Sequence, residues 1–194
     1  MSAEASDALQ AARAQIDALN AVLAVDATEA AAGDYQTRYN EILPVVQAVY
    51  DAPTMARLMV GRQAWSDFDT DQRRDLAMAI EKLSVSAYAS RFNTLTAQQF
   101  SVTDTAEGPR NTVVVTTKIE PDQRDSVDIA YILRDNDGRW QIIDVFINGQ
   151  YSEVARRRSD FSAVLRDDGL EGLLARIDEL VANYRDDFQT QPGG

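Results

Sequence analysis

The chain has 194 residues, 45% of them hydrophobic, which suffices for one compact domain with a substantial core. Its net charge of −12 argues against nucleic-acid binding and anionic-membrane docking, since both need clustered basic side chains. The chain has no cysteine and no histidine, which excludes Ser-His-Asp and Cys-His catalysis and the usual zinc sites. No apolar run reaches the roughly 20 residues of a membrane span. The polar, Ala-rich start shows no signal peptide, so a cytosolic protein and a mature secreted one both stay open.

The first predicted helix covers about residues 6–32 and carries an apolar seam with alternating spacings of three and four. Such a seam is typical of a contact with a partner or a second copy. The alternative, which we favour, is that the helix packs on its own domain or is a loosely docked extension. Gly33 predicts its end, Asp34 predicts the N-cap of a second helix, and Pro44 predicts a kink or restart in that helix. The seam residues are Leu9, Ala12, Ile16, Leu19 and Leu23.

Helical periodicity continues before the pattern changes. A short helix is predicted over Met55–Gly61, with Gly61 as its stop, and Thr70 is predicted to cap a long helix that continues to about Leu95. From Phe100 onward the apolar period changes from 3.6 to 2, in segments rich in Val, Ile, Thr, Tyr and Trp. Four strands are predicted, over Phe100–Thr103, Thr112–Ile119, Val127–Arg134 and Arg139–Ile147.

Short polar connections join these strands. Asp135–Gly138 predicts a hairpin turn and Glu120–Gln123 a second connection, so the strands form an antiparallel meander. The acidic Asp135–Gly138 segment lacks the further ligands and closing Glu of a calcium loop, and no metal is predicted there. After Gly149 the chain returns to helix, with an amphipathic stripe from Leu170 to Tyr184.

This order of elements predicts an α+β fold. We expect a curved antiparallel four-stranded sheet, wrapped by N-terminal and C-terminal helices into an NTF2-like cone, with an extra N-terminal helix. The inside of such a cone is apolar, which is the usual setting for a small-molecule pocket.

Two motifs resemble those of a known family. The first is Pro53–Trp65 (PTMARLMVGRQAW), followed by Thr70–Arg74 (TDQRR) at the start of the long helix. The second is Trp140–Ser152 (WQIIDVFINGQYS), which runs on into Arg158–Leu174. In this order they resemble the MlaC-type, or toluene-tolerance, family of periplasmic phospholipid-binding proteins. The run Arg156–Phe161 resembles the hopanoid-associated, HpnM-like branch.

The resemblance implies a soluble periplasmic lipid carrier that has lost its signal peptide, and not an enzyme. Its ligand would be a phospholipid, or a hopanoid in the HpnM-like branch, with no cofactor or metal. It would shuttle lipid between an inner-membrane MCE/ABC transporter complex and an outer-membrane lipoprotein complex, supporting outer-membrane lipid asymmetry without stable membrane insertion. Residues 1–33 would then be a helical extension, 34–188 the lipid-binding α+β domain and 189–194 a polar tail.

The lipid pocket is predicted on the inward face of the sheet and the helices above it. Burying acyl chains contributes about 0.8 kcal/mol for each CH₂, which is ample for binding without chemistry. The alternative for every residue is an ordinary core position. The predicted lipid-binding residues are Leu58, Leu76, Ile80, Leu83, Ile129, Tyr131, Leu133, Ile142, Val145 and Leu165.

Two other classes of protein stay open. A cone-shaped isomerase would need Asp144 to meet Tyr131 or Tyr88 inside the cavity, as a general base with a polar partner. We prefer the alternative that Asp144 accepts hydrogen bonds from backbone amides or an arginine. A cavity-free interaction module would use the Leu9–Leu23 seam. The Arg156–Arg158 run could meet a phosphate headgroup or a partner's acidic rim, and the alternative we prefer is a solvated helix face.

Overall fold

The computed structural model describes residues 3–24, 34–122 and 125–190. The described residues form α1 (Ala3–Leu23), α2 (Tyr35–Val49), α3 (Ala52–Val60), α4 (Arg62–Asp67), α5 (Thr70–Arg91) and α6 (Glu153–Thr190). The strands are β1 (Phe100–Gly108), β2 (Thr112–Ile119), β3 (Val127–Asn136), β4 (Arg139–Ile147) and β5 (Tyr151–Ser152). The predicted helix stop at Gly33, Gln123 of the predicted connection and the last four residues of the polar tail lie outside the described residues.

Side-chain caps set the starts of the helices. The Asp34 carboxylate accepts hydrogen bonds from two amides of the first turn of α2, which confirms the predicted cap. The cap of α5 is Asp69, not Thr70 as predicted. Its carboxylate accepts a 2.8 Å hydrogen bond from the amide of Gln72, whose side chain accepts one from the Asp69 amide. This reciprocal pair outweighs the single hydroxyl that Thr70 would supply.

Helix α2 passes through Pro44 without interruption, so it does not restart there, and the alternative of a kink at Pro44 stays a prediction. Ile42 and Val46 are fully buried on either side of the proline. Their packing on one core keeps both turns aligned. The helix therefore tolerates the loss of the backbone hydrogen bond that the proline cannot donate.

The sheet is an antiparallel meander in the order β1-β2-β3-β4-β5, as the short connections predict. It has five strands rather than the predicted four. Tyr151 and Ser152 form the additional strand by pairing with the end of β4, and two residues are too few to show a period of 2. Strand β1 continues to Gly108, five residues further than predicted, because Asp104–Gly108 pair with β2 beyond an irregularity at Val102. An NTF2-like cone stays a prediction.

A two-residue turn joins β3 to β4, which confirms the predicted hairpin. Asp137 and Gly138 have φ values of 52° and 82°. Positive φ at both central positions is the turn that matches the twist of paired strands. The Gly138 amide also donates a 2.8 Å hydrogen bond to the Asp135 carboxylate.

Helix α1 packs on the sheet and on α2. Ala12, Ile16, Leu19 and Leu23 of its seam are fully buried in the core shared with both. Asn20 donates a 3.1 Å hydrogen bond from its side-chain nitrogen to the hydroxyl of Thr117 in β2. The seam therefore faces the chain's own core, and the division into an extension and a domain at residue 33 stays a prediction.

Helix α6 consists of two helical segments that meet at Gly169, which has non-helical angles of φ 67° and ψ −165°. Arg157 and Tyr184 are 27 residues apart, which would be about 40 Å along a straight helix. Their side chains instead lie 3.3 Å apart. The chain therefore folds back at Gly169 and brings the two segments side by side.

Candidate functional site

An apolar cavity of about 80 Å³ lies between α5 and the buried face of the sheet. Its edges come from α3, from the start of α6 and from Tyr50, which follows α2. Its apolar wall consists of Met55 and Met59 from α3, Ile80, Leu83 and Ala87 from α5, Phe92, and Ile129, Val145 and Ile147 from the sheet.

A larger cavity of about 460 Å³ adjoins the first. Arg91, Phe92, Ile129 and Ile147 line both spaces. The second cavity extends towards the ends of β2 and β3 and the connection between them. The Phe92 ring lies at the junction, and its centroid is 5.6 Å from that of the Tyr88 ring, with the two planes tilted by 36°. Together the two spaces have the size of a small-molecule pocket, which is roughly 300–1,000 Å³.

The predicted lipid-binding residues divide into three groups. Four of them line the first cavity, and one of these four, Ile129, lines the second as well. Four more are fully buried core residues that line neither cavity, and two are partly buried against the core. Their role in lipid binding stays a prediction. The four lining residues are Ile80, Leu83, Ile129 and Val145; the core residues are Leu76, Tyr131, Leu133 and Ile142; the partly buried ones are Leu58 and Leu165.

Three buried tyrosines form a chain of neighbours beside the first cavity. The hydroxyls of Tyr50 and Tyr88 lie 2.5 Å apart, and Tyr131 interacts with Tyr88. Burial is the main cause that raises the pKa of each phenol well above its usual value. All three therefore remain neutral hydroxyls. Sequence analysis missed Tyr50, because it follows the last helical position of α2 and enters the core only through a bridge to Ile142.

A partly buried ion pair borders the same cavity. Arg157 is 3% exposed, and its Nε donates a 2.9 Å hydrogen bond to Glu153. Arg156 donates a second hydrogen bond, of 2.7 Å, to the same carboxylate oxygen. Burial tends to raise the pKa of Glu153, but its bonds to Arg156 and the charge of Arg157 lower that pKa overall. Arg156 is exposed, as a solvated helix face predicts, whereas Arg157 points inward.

Arg91, at the end of α5, meets Arg157 through a shared tyrosine. The Nη2 of Arg91 donates a 3.1 Å hydrogen bond to the hydroxyl of Tyr184, and its guanidinium lies 5.3 Å from the centre of that ring. The Nη2 of Arg157 donates to the same hydroxyl. Sequence analysis missed Arg91 and Tyr184, because they come together only through the packing of the second segment of α6 against α5.

Asp144 lies outside the cavity wall and is held by the start of α6. Its carboxylate accepts hydrogen bonds from the amides of Val145 and Val154 and from the Ser152 hydroxyl. It meets neither Tyr88 nor Tyr131, the partners that an isomerase would need. Its contacts are those of the alternative that we preferred, in which backbone amides donate to Asp144.

Within residues 3–24, 34–122 and 125–190, no three acidic side chains are grouped so that they could hold a metal ion. No helix there combines the length and the apolarity that crossing a bilayer requires.

The fold and the cavities define an α+β protein with an apolar pocket between its long central helix and its sheet. The sequence profile of the MlaC protein matches residues 14–179, and the chain belongs to the MlaC family. A comparison with curated proteins finds no match.

Among solved structures, the fold matches a phospholipid-binding protein from Ralstonia solanacearum, determined in complex with a phospholipid. The TM-score is 0.72 and the sequences are 18% identical. The match covers 91% of this chain and 98% of that one. At this identity the comparison shows a shared fold, and the HpnM-like branch stays a prediction.

Proposed function

We propose that this protein is a phospholipid carrier that holds acyl chains in the cavities between α5 and the sheet. The observation that carries the proposal is the pair of adjoining cavities with a shared apolar wall at Phe92, Ile129 and Ile147. Membership of the MlaC family and the phospholipid bound to a structural relative support it.

The chemistry of the wall suits binding without reaction. Methionine, isoleucine and phenylalanine side chains offer an acyl chain only dispersion contacts and release from water, worth about 0.8 kcal/mol for each CH₂. Phe92 lines both cavities, so an acyl chain that extends from one into the other would contact its ring. The phenols of Tyr50 and Tyr88 stay neutral, so they place no charge against an acyl chain at the inner end.

We place this carrier in the periplasm, moving phospholipid between an inner-membrane MCE/ABC transporter complex and an outer-membrane lipoprotein complex. Family membership supports this placement. The net charge of −12 suits a carrier that must leave anionic membranes after each exchange. A carrier needs no catalytic pair, and the bonds of Asp144 to Ser152 and to backbone amides are consistent with that.

Lipid extraction from the purified protein tests the proposal. Native mass spectrometry should show one lipid per chain, and mass spectrometry of the denatured extract should identify a glycerophospholipid. A hopanoid would replace the phospholipid assignment with the HpnM-like one. A protein that is purified without lipid and takes none from phospholipid vesicles would contradict the carrier function altogether.

A matched pair of variants locates the site. Ala87 lines the first cavity, whereas Ala79 lies two turns earlier on α5 and is half-buried without lining either cavity. Ala87→Phe should fill the cavity and reduce the bound lipid several-fold, while Ala79→Phe should retain it. Equal lipid content in the two folded variants would place the acyl chains elsewhere.

A further inference from the structure

We propose that Arg91, Tyr184 and Arg157 form a binding subsite for the headgroup phosphate of a glycerophospholipid. The inference rests on the proposed carrier function and deepens it. It selects lipids that carry a phosphodiester over neutral lipids with the same acyl chains.

The three side chains converge at the edge of the first cavity. Arg91 and Arg157 both line it, and both donate to the hydroxyl of Tyr184, at 3.1 and 3.3 Å. Arg157 is buried, while Arg91 is exposed to solvent. The subsite thus connects the apolar interior to the surface, where the polar end of a lipid with buried acyl chains must lie.

The donors exceed their acceptors. A guanidinium has five N–H donors, and Arg91 uses one of them on Tyr184. The Tyr184 hydroxyl accepts two hydrogen bonds, which occupies both of its lone pairs, so its own proton is a further donor beside the two guanidiniums. A phosphate offers several acceptor oxygens and binds guanidinium groups in pairs of parallel hydrogen bonds.

The charge at this edge is positive in an otherwise acidic protein. Arg157 pairs with Glu153, and Arg156 pairs with Glu153 and, at 3.8 Å, with Asp160. Among the described residues, Arg91 has no carboxylate within ion-pair distance, so one positive charge remains unbalanced. The ion pair with Glu153 offsets part of the energetic cost of burying Arg157. Arg91 has no such partner among the described residues and is available to an incoming anion.

Among its described lining residues, the second cavity has two carboxylates besides Arg91. Asp122 and Asp125 line it, at the connection between β2 and β3. These carboxylates would repel a phosphate there. The phosphate is therefore placed on the α6 side of Arg91, next to Arg157, and the acyl chains extend inward from it.

Calorimetry on the full-length, delipidated protein tests the subsite with three probes. These are dihexanoylphosphatidylglycerol, dihexanoylglycerol and inorganic phosphate, the first two of which share their acyl chains. The phosphodiester lipid should bind about tenfold more tightly than the neutral one, as expected for charge-assisted hydrogen bonds. Added salt should reduce this difference.

Variants separate the subsite from the cavity. Arg91→Gln should weaken phosphatidylglycerol binding about tenfold and leave dihexanoylglycerol unchanged, and Tyr184→Phe should act in the same direction by about threefold. Arg74→Gln is the matched control. This exposed arginine of α5 pairs with Asp71 and Asp75, far from the cavity edge, and both affinities should be retained.

Each alternative outcome has a distinct meaning. Equal affinity for the two lipids, unchanged by Arg91→Gln, overturns the subsite and leaves the carrier function standing. If the unmodified protein binds neither lipid, the carrier function and the subsite are overturned together. Binding of inorganic phosphate as tight as that of the lipid would assign the arginines to free phosphate and overturn the headgroup assignment.

Discussion

The Asp144 carboxylate accepts a 2.6 Å hydrogen bond from the hydroxyl of Ser152, and so ties β4 to β5. The same carboxylate accepts from the amide of Val154 in the first turn of α6, while the Ser152 hydroxyl accepts from Ala155. Asp144 and Ser152 together therefore satisfy donors at the beginning of α6 and place a carboxylate near its positive end. Their spacing in the Trp140–Ser152 motif reflects this junction.

Replacing Asp144 should therefore reduce stability without a specific loss of lipid binding. Asp144→Ala leaves the Ser152 hydroxyl and two amides without their acceptor, which costs about 1–3 kcal/mol. Urea unfolding followed by circular dichroism measures the change, and Asp104→Ala, at an exposed position of β1, serves as the control. An unchanged free energy of unfolding would contradict the structural role.

The contact between Arg38 and the end of α1 predicts a second loss of stability. The Arg38 guanidinium is buried and donates to the carbonyls of Val22, Leu23 and Phe92. Arg38→Met keeps the apolar stem but leaves these carbonyls without donors. The free energy of unfolding should therefore fall by about 3 kcal/mol.

Hydrogen exchange of the Arg38→Met variant would show which part of the protein loses stability. Protection of α1 amides should fall more than protection of the sheet in Arg38→Met, because the arginine joins α1 to α2 and α5. Arg13→Met is the control, since Arg13 is exposed and makes only a surface ion pair with Asp17. Equal effects of the two substitutions would contradict the prediction.

The reversal at Gly169 predicts a strong preference for glycine. Its angles of φ 67° and ψ −165° lie in a region open almost only to glycine, although a Cβ there would meet no atom within 4 Å. Gly169→Ala should destabilise the protein by about 1–3 kcal/mol through backbone strain alone. Thermal unfolding measures this effect, and Asp167→Ala in the same stretch should change it little. Equal stability of the two variants would show that the fold-back does not require glycine.

The tyrosine chain predicts how stability changes at high pH. The folded state raises the pKa of Tyr50, Tyr88 and Tyr131 well above the usual 10.0, mainly through burial. It therefore holds their protons more tightly than the unfolded chain, and stability should be fully present below about pH 10 and fall as the pH rises further. Phenolate absorbance and circular dichroism should show these three phenols ionising together with unfolding. Their ionisation in a folded protein would contradict the prediction.

Local features of the sequence determined the fold class and much of the sheet. Strands β2 and β4 have the predicted bounds, since alternation of apolar residues and the flanking turn residues act over a few positions. The cap at Asp34 and the hairpin at Asp137 and Gly138 follow from side-chain chemistry within one turn. The MlaC resemblance depended on motifs of the same local kind, and the family match confirms it.

The tertiary structure alone decided which apolar residues face open space. Ile129, Tyr131 and Leu133 alternate identically along β3, yet of the three only Ile129 lines either of the two cavities, whereas Tyr131 and Leu133 are fully buried in the packed core. The polar edge likewise depends on partners distant in the chain, as Arg91 and Tyr184 are 93 residues apart. Periodicity reports which side of an element is apolar. Whether an apolar side chain packs against other atoms or lines a cavity depends on how the elements pack together. No local sequence pattern contains that information.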